Sequence, residues 1–281
     1  MQIKTIRRGC KGPLVRKWQD FLRGQDDYLG ISDGKFGPKT EASTKAYQLT
    51  EGLSPVDGIV GNATWGRAMS DGLELIEGVG TGKASPNWPP RPSFKPIGQA
   101  GREQLFGKFG YRAAPIKGNP ENIVILGSWQ KDNLTRVTVP QLQGVYGAPQ
   151  SGRVFWHQAA KPQLLALFRA WEVLGLIELV QSWAGSWCAR FSRGSNSYLS
   201  NHSWATAFDV NVPQNMLGRR PALVGEPGSV RELVPVAGDL GFWWGGFGWP
   251  PNYGRLDGMH FEIAKLLTEA QIESVLIKLA A

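Results

Sequence analysis

Two segments far apart in the chain constrain its fold more than any other feature: Ser200-Asn201-His202-Ser203-Trp204-Ala205-Thr206-Ala207-Phe208-Asp209 and Asp257-Gly258-Met259-His260-Phe261-Glu262. Each carries an imidazole and a carboxylate, and the chain has only 3 histidines in all. Two imidazoles and one carboxylate form a common three-ligand set for catalytic Zn²⁺, leaving a fourth position for water. A fold that uses His202, Asp209 and His260 together must bring the two segments side by side. Asp257, three residues before His260, stands where a general base could be held beside that water. His202 and Asp209 alone divide evenly between ligands and ordinary residues, and the second segment tips the reading to a metal. His157, which opens an apolar helix-like run, is expected to be a hydrogen-bonded structural residue.

The patterning around both segments is that of strands. From Ala205 to Val212, small or polar residues alternate with Thr206, Phe208, Val210 and Val212, which predicts a strand with Ala205, Ala207 and Asp209 on one face. A second predicted strand puts His260 and Glu262 on one face, with Met259, Phe261 and Ile263 on the other. Glu262 reads equally well as a partner that orients a ligand and as a solvated strand residue.

The pattern Ser-x-His-x-x-Gly-x-Ala-x-Asp followed by Asp-x-x-His-Phe-Glu resembles the zinc D-alanyl-D-alanine carboxypeptidase and L-alanyl-D-glutamate endopeptidase family, which cleaves peptidoglycan stem peptides. The resemblance runs from Phe106 to Glu262, through Val139-Pro140-Gln141-Leu142, Arg193-Gly194-Ser195 and Gly241-Phe242-Trp243-Trp244-Gly245-Gly246. One position departs, since Ala205 stands where the family has glycine. If that glycine supplies a positive φ, Ala205 is strained; if it supplies only small size, alanine serves. An Asp before His-Phe-Glu is similar to the endopeptidase branch, which implies an L-alanyl-D-glutamate endopeptidase of endolysin type. A D-alanyl-D-alanine carboxypeptidase is the alternative, and a non-catalytic wall-binding protein is a further one. The resemblance also implies an arginine that holds the substrate carboxylate or polarises its carbonyl, and both Arg190 and Arg193 are candidates. Ser200 and Asn201 are expected to hydrogen-bond around the ligand loop, Ser200 in a structural role.

The N-terminal region contains an internal repeat. Asp33-Gly34-Lys35-Phe36-Gly37-Pro38-Lys39-Thr40 recurs as Asp57-Gly58-Ile59-Val60-Gly61-Asn62-Ala63-Thr64, each copy a glycine turn feeding a helix. Leu14, Trp18, Phe21 and Leu22 mark one apolar helical face before the first copy. With Gln19 and Ala46-Tyr47-Gln48, this region resembles the small three-helix peptidoglycan-binding domain attached to many cell-wall hydrolases. Gly, Pro and Ser dominate from Gly78 to Pro96, which predicts an extended tether that contributes little to either core.

The expected organisation is therefore a peptidoglycan-binding domain over 1–77, a linker over 78–98 and a zinc peptidase domain over 99–281. The expected fold class is α+β: a small three-helix domain linked to an α+β domain with a central antiparallel sheet. Helices are predicted from Lys161 to Leu174, from Ser229 to Leu240, and after a Thr268/Gln271 capping box, with strands over Ile177–Trp183, Ala207–Val212 and Met259–Ile263. The aromatic and glycine run Phe242–Trp249 reads either as a cleft wall or as core.

A formal charge of +8 and a pI near 9.6 favour anionic partners. The two resemblances imply peptidoglycan, glycan and stem peptide, as the partner; the charge adds other anionic envelope polymers, and no basic-aromatic groove or motif singles out nucleic acid. Cys10 and Cys188 fall in different domains, so no disulfide is expected. Lys4, Arg7, Arg8 and Lys11 interrupt any apolar run after Met1. The expectation is a monomer without membrane insertion, made in a cytoplasm without a signal peptide and acting on the wall after holin-type release or signal-independent secretion.

Overall fold

The computed structural model describes residues 3–25, 28, 30–75, 87–249 and 255–280. Two hydrophobic cores organise them. The smaller gathers three helices, α1 (Pro13–Gly24), α2 (Pro38–Thr50) and α3 (Asn62–Ser70). Pro13 and Pro38 sit in first helical turns, where proline's missing N–H costs nothing. Trp18 on α1 is fully buried and meets Tyr47 and Trp65 edge-on, with centroids 5.5 and 5.4 Å away.

The sequence repeat is a repeated clamp. Gln19 Nε2 donates to Asp33 Oδ1 (3.2 Å), the Lys35 carbonyl (3.0 Å) and Thr40 Oγ1 (3.1 Å), while its Oε1 accepts from the Gly34 N–H (2.8 Å). Gln48 makes the same set with Asp57 (3.1 Å), Ile59 (3.0 Å), Thr64 (3.1 Å) and Gly58 (2.8 Å). Each buried amide thus holds one glycine turn onto the helix it feeds.

The larger core belongs to the α+β part. Here α4 (Gln99–Phe106) leads into a hairpin of β1 (Gly110–Ala113) and β2 (Ile123–Leu126). Next come α5 (Trp129–Asn133), the antiparallel pair β3 (Leu134–Thr138) and β4 (Arg153–His157), and α6 (Lys161–Val173). The remaining elements are β5 (Trp183–Gly185), β6 (Ala207–Val210), α7 (Val234–Asp239), β7 (Phe242–Trp244), β8 (His260–Ile263) and α8 (Glu269–Ala280). The last four strands form one antiparallel sheet in the order β5-β6-β8-β7, so the expected α+β class with a central antiparallel sheet is observed.

That sheet sorts its side chains by the period-two rule. Phe208 on β6 turns to the core, stacked on Trp183 and Phe261 with centroids 5.5 and 5.4 Å away and packed by Phe168 and Trp171 of α6. Ala207 and Asp209, and His260 and Glu262 on β8, take the opposite face. The register pairs Asp209 with His260 and Ala207 with Glu262. The fold has brought the two distant segments into adjacent strands.

Several local expectations need correction. Ile177–Leu179 is a 3₁₀ turn, not a strand, and strand structure starts at Trp183. The Asn211 side chain is the reason: it donates to the Leu179 carbonyl (2.7 Å) and accepts from the N–H groups of Gln181 (2.8 Å) and Ser182 (3.0 Å), taking backbone groups that a strand neighbour would use. Ala205 lies outside β6 in a left-handed conformation, and Asn211, also left-handed, ends the strand before Val212. Ser229 precedes a 3₁₀ turn over Arg231–Leu233 before α7 begins. The Thr268/Gln271 box forms reciprocally, at 2.9 and 3.3 Å.

The tether expected over 78–98 is described from residue 87, and its first half lies outside the described residues. The described half is captured rather than free. Arg231 donates to the Asn87 carbonyl and holds its guanidinium 4.8 Å from the Trp88 ring, while Phe94 and Ile97 pack on the larger core. Among the described residues no helix is long and apolar enough to cross a membrane.

Candidate active site

His202 is presented by a single 3₁₀ turn, Asn201–Trp204. Ser200 caps it, its Oγ accepting from the His202 N–H at 3.3 Å, which is a structural role as expected. The turn closes on Ala205 at φ 51° and ψ 46°, from which the chain enters β6. The glycine of the family motif is therefore a positive-φ position, and alanine occupies it at a cost in strain.

The turn, β6 and β8 converge on three donors. His202 Nε2 lies 3.2 Å from Asp209 Oδ2 and 3.2 Å from His260 Nδ1, and His260 Nδ1 lies 2.9 Å from Asp209 Oδ1. The ligand atoms all fall within 4.8 Å of one another. His202 Nδ1 faces the Ser186 carbonyl at 3.3 Å; a carbonyl can only accept, so the proton sits there and Nε2 presents its lone pair to the cluster. His260 Nε2 likewise meets the Glu262 carboxylate at 3.0 Å. Glu262 is thus a buried partner that orients a ligand, held in turn by Asn201 Nδ2 and by the Trp249 indole N–H at 3.3 Å.

The electrostatics ask for a cation. Burial pushes the Asp209 carboxyl up, but the His202 and His260 side chains outweigh it and hold it well below the usual carboxylate range. Burial works to lower His260, but hydrogen bonds to Asp209 and Glu262 raise it to about 10. Burial lowers His202. With His260 protonated, acceptors from two residues, His202 Nε2 and Asp209, share the one proton on His260 Nδ1. A divalent ion displacing that proton would satisfy them all, so the residues present fit the expected Zn²⁺.

Asp257 stands beside the cluster with its Oδ1 buried and without a hydrogen-bond partner. Burial raises its carboxyl to about 7, with Asp209 adding to the rise and His260, Arg255 and Arg190 opposing it. A half-buried carboxyl with one oxygen buried and unpartnered, poised near neutrality, is costly to folding and suited to proton transfer.

The two candidate arginines part company. The Arg190 backbone is pinned to the histidine turn, its N–H donating to Ser203 Oγ (3.0 Å) and its carbonyl accepting from Ser203 Oγ (2.8 Å) and the Ser200 N–H (3.0 Å). Its side chain is half-buried, lines the cleft and lies near Asp209 and Asp257. Arg193 also borders the cleft, but donates to Asn119 Oδ1 and Glu121 Oε2, both at 3.0 Å. Of the two, Arg193 is engaged by a carboxylate, whereas the Arg190 guanidinium meets only the Phe191 carbonyl, 3.2 Å from its Nη1. Of the aromatic run, Trp243 and Trp244 are core, while Trp249 faces the cleft with its ring 5.8 Å from His260. His157 is structural, its Nδ1 accepting from the Ala159 N–H and its Nε2 facing the Phe106 carbonyl. Cys10 and Cys188 are both free thiols. Arg255, two residues before Asp257, and Glu121 were not singled out by the sequence; only the proximity of Arg255 to the motif could have flagged it.

Three convergent donors that could hold a metal, beside a raised carboxyl and a half-buried arginine, form an arrangement suited to metal-assisted hydrolysis. Comparison narrows the class: residues 193–263 match the family described as D-alanyl-D-alanine carboxypeptidase, and residues 11–67 match a peptidoglycan binding domain. The family and the architecture expected from the sequence are both matched. Together the two matches support a peptidase that acts on peptidoglycan. The first match contains His202, Asp209, Asp257 and His260, while Arg190 lies just outside it. Among solved structures, the chain is similar to the SleB N-terminal domain, with 34% identity over 24% of this chain and 92% of that one and a TM-score of 0.24. It is also similar to a peptidoglycan-binding protein from Clostridioides difficile in complex with glutamine hydroxamate, with 36% identity over 23% of this chain and 40% of that one and a TM-score of 0.21. No curated protein matches the chain.

Proposed function

We propose that this protein is a zinc-dependent peptidoglycan endopeptidase that cuts the L-alanyl-D-glutamate bond of stem peptides and acts as a wall-lytic endolysin. The observation that carries the metallopeptidase reading is the cluster of His202, Asp209 and His260 with the orphaned Asp257 oxygen beside it. When bound by these three residues, zinc supplies Lewis acidity and brings the pKa of a water toward neutrality. Asp257 takes a proton at its Oδ1 and returns it to the leaving amine, a task suited to a carboxyl near pH 7. Arg190 orients the peptide by its carbonyl or carboxylate, and Glu262 fixes the His260 ring.

The endopeptidase assignment rests on the Asp257-Gly258-Met259-His260-Phe261-Glu262 motif and on a cleft of about 630 Å³ lined by Asp257, His260 and Glu262, room for several peptide residues. The alternative is the D-alanyl-D-alanine carboxypeptidase that gives the matched family its description. Peptidoglycan is the partner supported by the match over 11–67. The test is mass spectrometry of purified murein digested with zinc-loaded and chelated protein. New N-terminal D-glutamate in the loaded sample supports the endopeptidase, release of D-alanine alone replaces it by the carboxypeptidase, and identical digests in both samples sink the zinc peptidase.

A further inference from the structure

We propose that the substrate cleft is completed by the N-terminal domain: α1 forms one wall of the cleft over the metal-donor cluster, and its Arg16 selects acidic stem peptides. The inference rests on the peptidase reading above and names the chemistry of its substrate. Pro13, Arg16 and Asp20 of α1 line the same cleft as Arg190, Asp257 and His260.

The seam that places α1 there is built, not incidental. Arg23 on α1 and Glu121 on the larger unit form an ion pair in which both side chains are about 95% buried, at 4% and 5% exposure. Glu121 also accepts from Arg193 Nη1 and from the Gly194 N–H at 3.1 Å. Arg255 ties the opposite side, donating to the Arg193 carbonyl at 2.7 Å with its Nε 3.7 Å from Asp20. The Ser32 N–H donates across the seam to the Gly194 carbonyl at 2.9 Å. Backbones approach so closely that a Cβ at Gly24 would overlap the Leu217 carbonyl, and one at Gly218 would lie 2.6 Å from the Phe21 nitrogen. The ion pairs, the backbone hydrogen bond and the close backbone approach together join the two domains directly, beyond the linker between them.

The fastened cleft is cationic, and most of its cations are already engaged. Arg193 is held by Glu121, Arg255 by Asp20, Lys17 by the Leu75 carbonyl at 3.3 Å, and Arg102 by the Ile97 and Leu199 carbonyls. Arg16 is exposed and, among the described residues, has no carboxylate within ion-pair distance. It is the cation that α1 leaves for an incoming anion. A stem peptide running from the donor cluster toward α1 would bring its carboxylates to it.

The test measures binding by calorimetry in full-length protein carrying Asp257→Asn, so that bound peptide is not consumed. The probes are a soluble stem peptide with free carboxylates and the same peptide with those carboxylates amidated. The free acid should bind about tenfold more tightly. Arg16→Glu should abolish that preference and Arg16→Lys should keep most of it. Lys39→Glu, the same charge reversal at an exposed α2 position outside the cleft, should leave it intact. An unchanged preference in Arg16→Glu, an equal loss in Lys39→Glu, or no binding of either peptide overturns the proposal. Cleavage by the protein with Asp257 intact separates this from the peptidase reading: Arg16-dependent binding without product keeps the composite cleft and sinks the peptidase, and product with Arg16-independent binding does the reverse.

Discussion

The N-terminal clamps and the catalytic cluster both bury polar side chains, but they treat them in opposite ways. Gln19 and Gln48 each satisfy every polar atom they bury, in two superimposable sets of hydrogen bonds. In the cleft, Asp257 Oδ1 is left without a partner, and His202 and Asp209 crowd around one proton of His260. Satisfied buried polar groups specify a scaffold; unsatisfied ones mark a place reserved for something that arrives later.

The largest test of this contrast is Asp257→Ala. It should lower turnover by about 10²–10⁴-fold while zinc stoichiometry stays at one per chain, measured by peptide release and metal analysis. Retained turnover would remove Asp257 from the chemistry. The conservative Asp257→Asn should also melt higher than the natural protein above pH 7. The sign follows from burial: the folded carboxyl sits near 7, above its ordinary 3.8, so its contribution to stability is present below 3.8 and lost as pH rises through 7.

A second test is the pH profile. Asp257 accepts a proton only when ionised, so kcat/KM should fall tenfold per unit on the acid side, with the limb at or below pH 7 because a bound dication pulls the carboxyl down. An acid limb well above 7 would point to a different base. On the scaffold side, Gln48→Ala should cost about 2–4 kcal/mol in denaturant unfolding, because the buried Gly58 N–H loses its acceptor, and leave zinc affinity unchanged. The smallest effect is expected from Ala205→Gly, which relieves a left-handed alanine and should stabilise by about 1 kcal/mol at unchanged metal content. A loss of stability there would show that the Ala205 methyl packs usefully.

What could be read without coordinates follows the range of the forces involved. The convergence of His202, Asp209 and His260, the repeat and the Thr268 box were legible because each rests on short motifs with a local cause. The strand faces were legible too, since His260 and Glu262 alternate with Phe261 and Ile263. The Ile177–Val180 run misled because apolar content cannot show that the Asn211 side chain has claimed the backbone there. Composition made residues 87–98 look like a free tether, and the partners that dock it, Arg231 and Val224 among them, are distant in sequence. Choosing between Arg190 and Arg193 needed Glu121, which no motif includes.

The Arg23–Glu121 pair also bears on how such enzymes can be recombined. A chimaera that grafts a foreign wall-binding module onto this catalytic unit would leave Glu121 with Arg193 and the Gly194 N–H but without Arg23, and would strip α1 from the cleft, so the hybrid should be less stable and altered in substrate choice even when its new module grips the wall well. Here the module cannot be exchanged as a cassette; it would have to be transplanted together with the surface it closes.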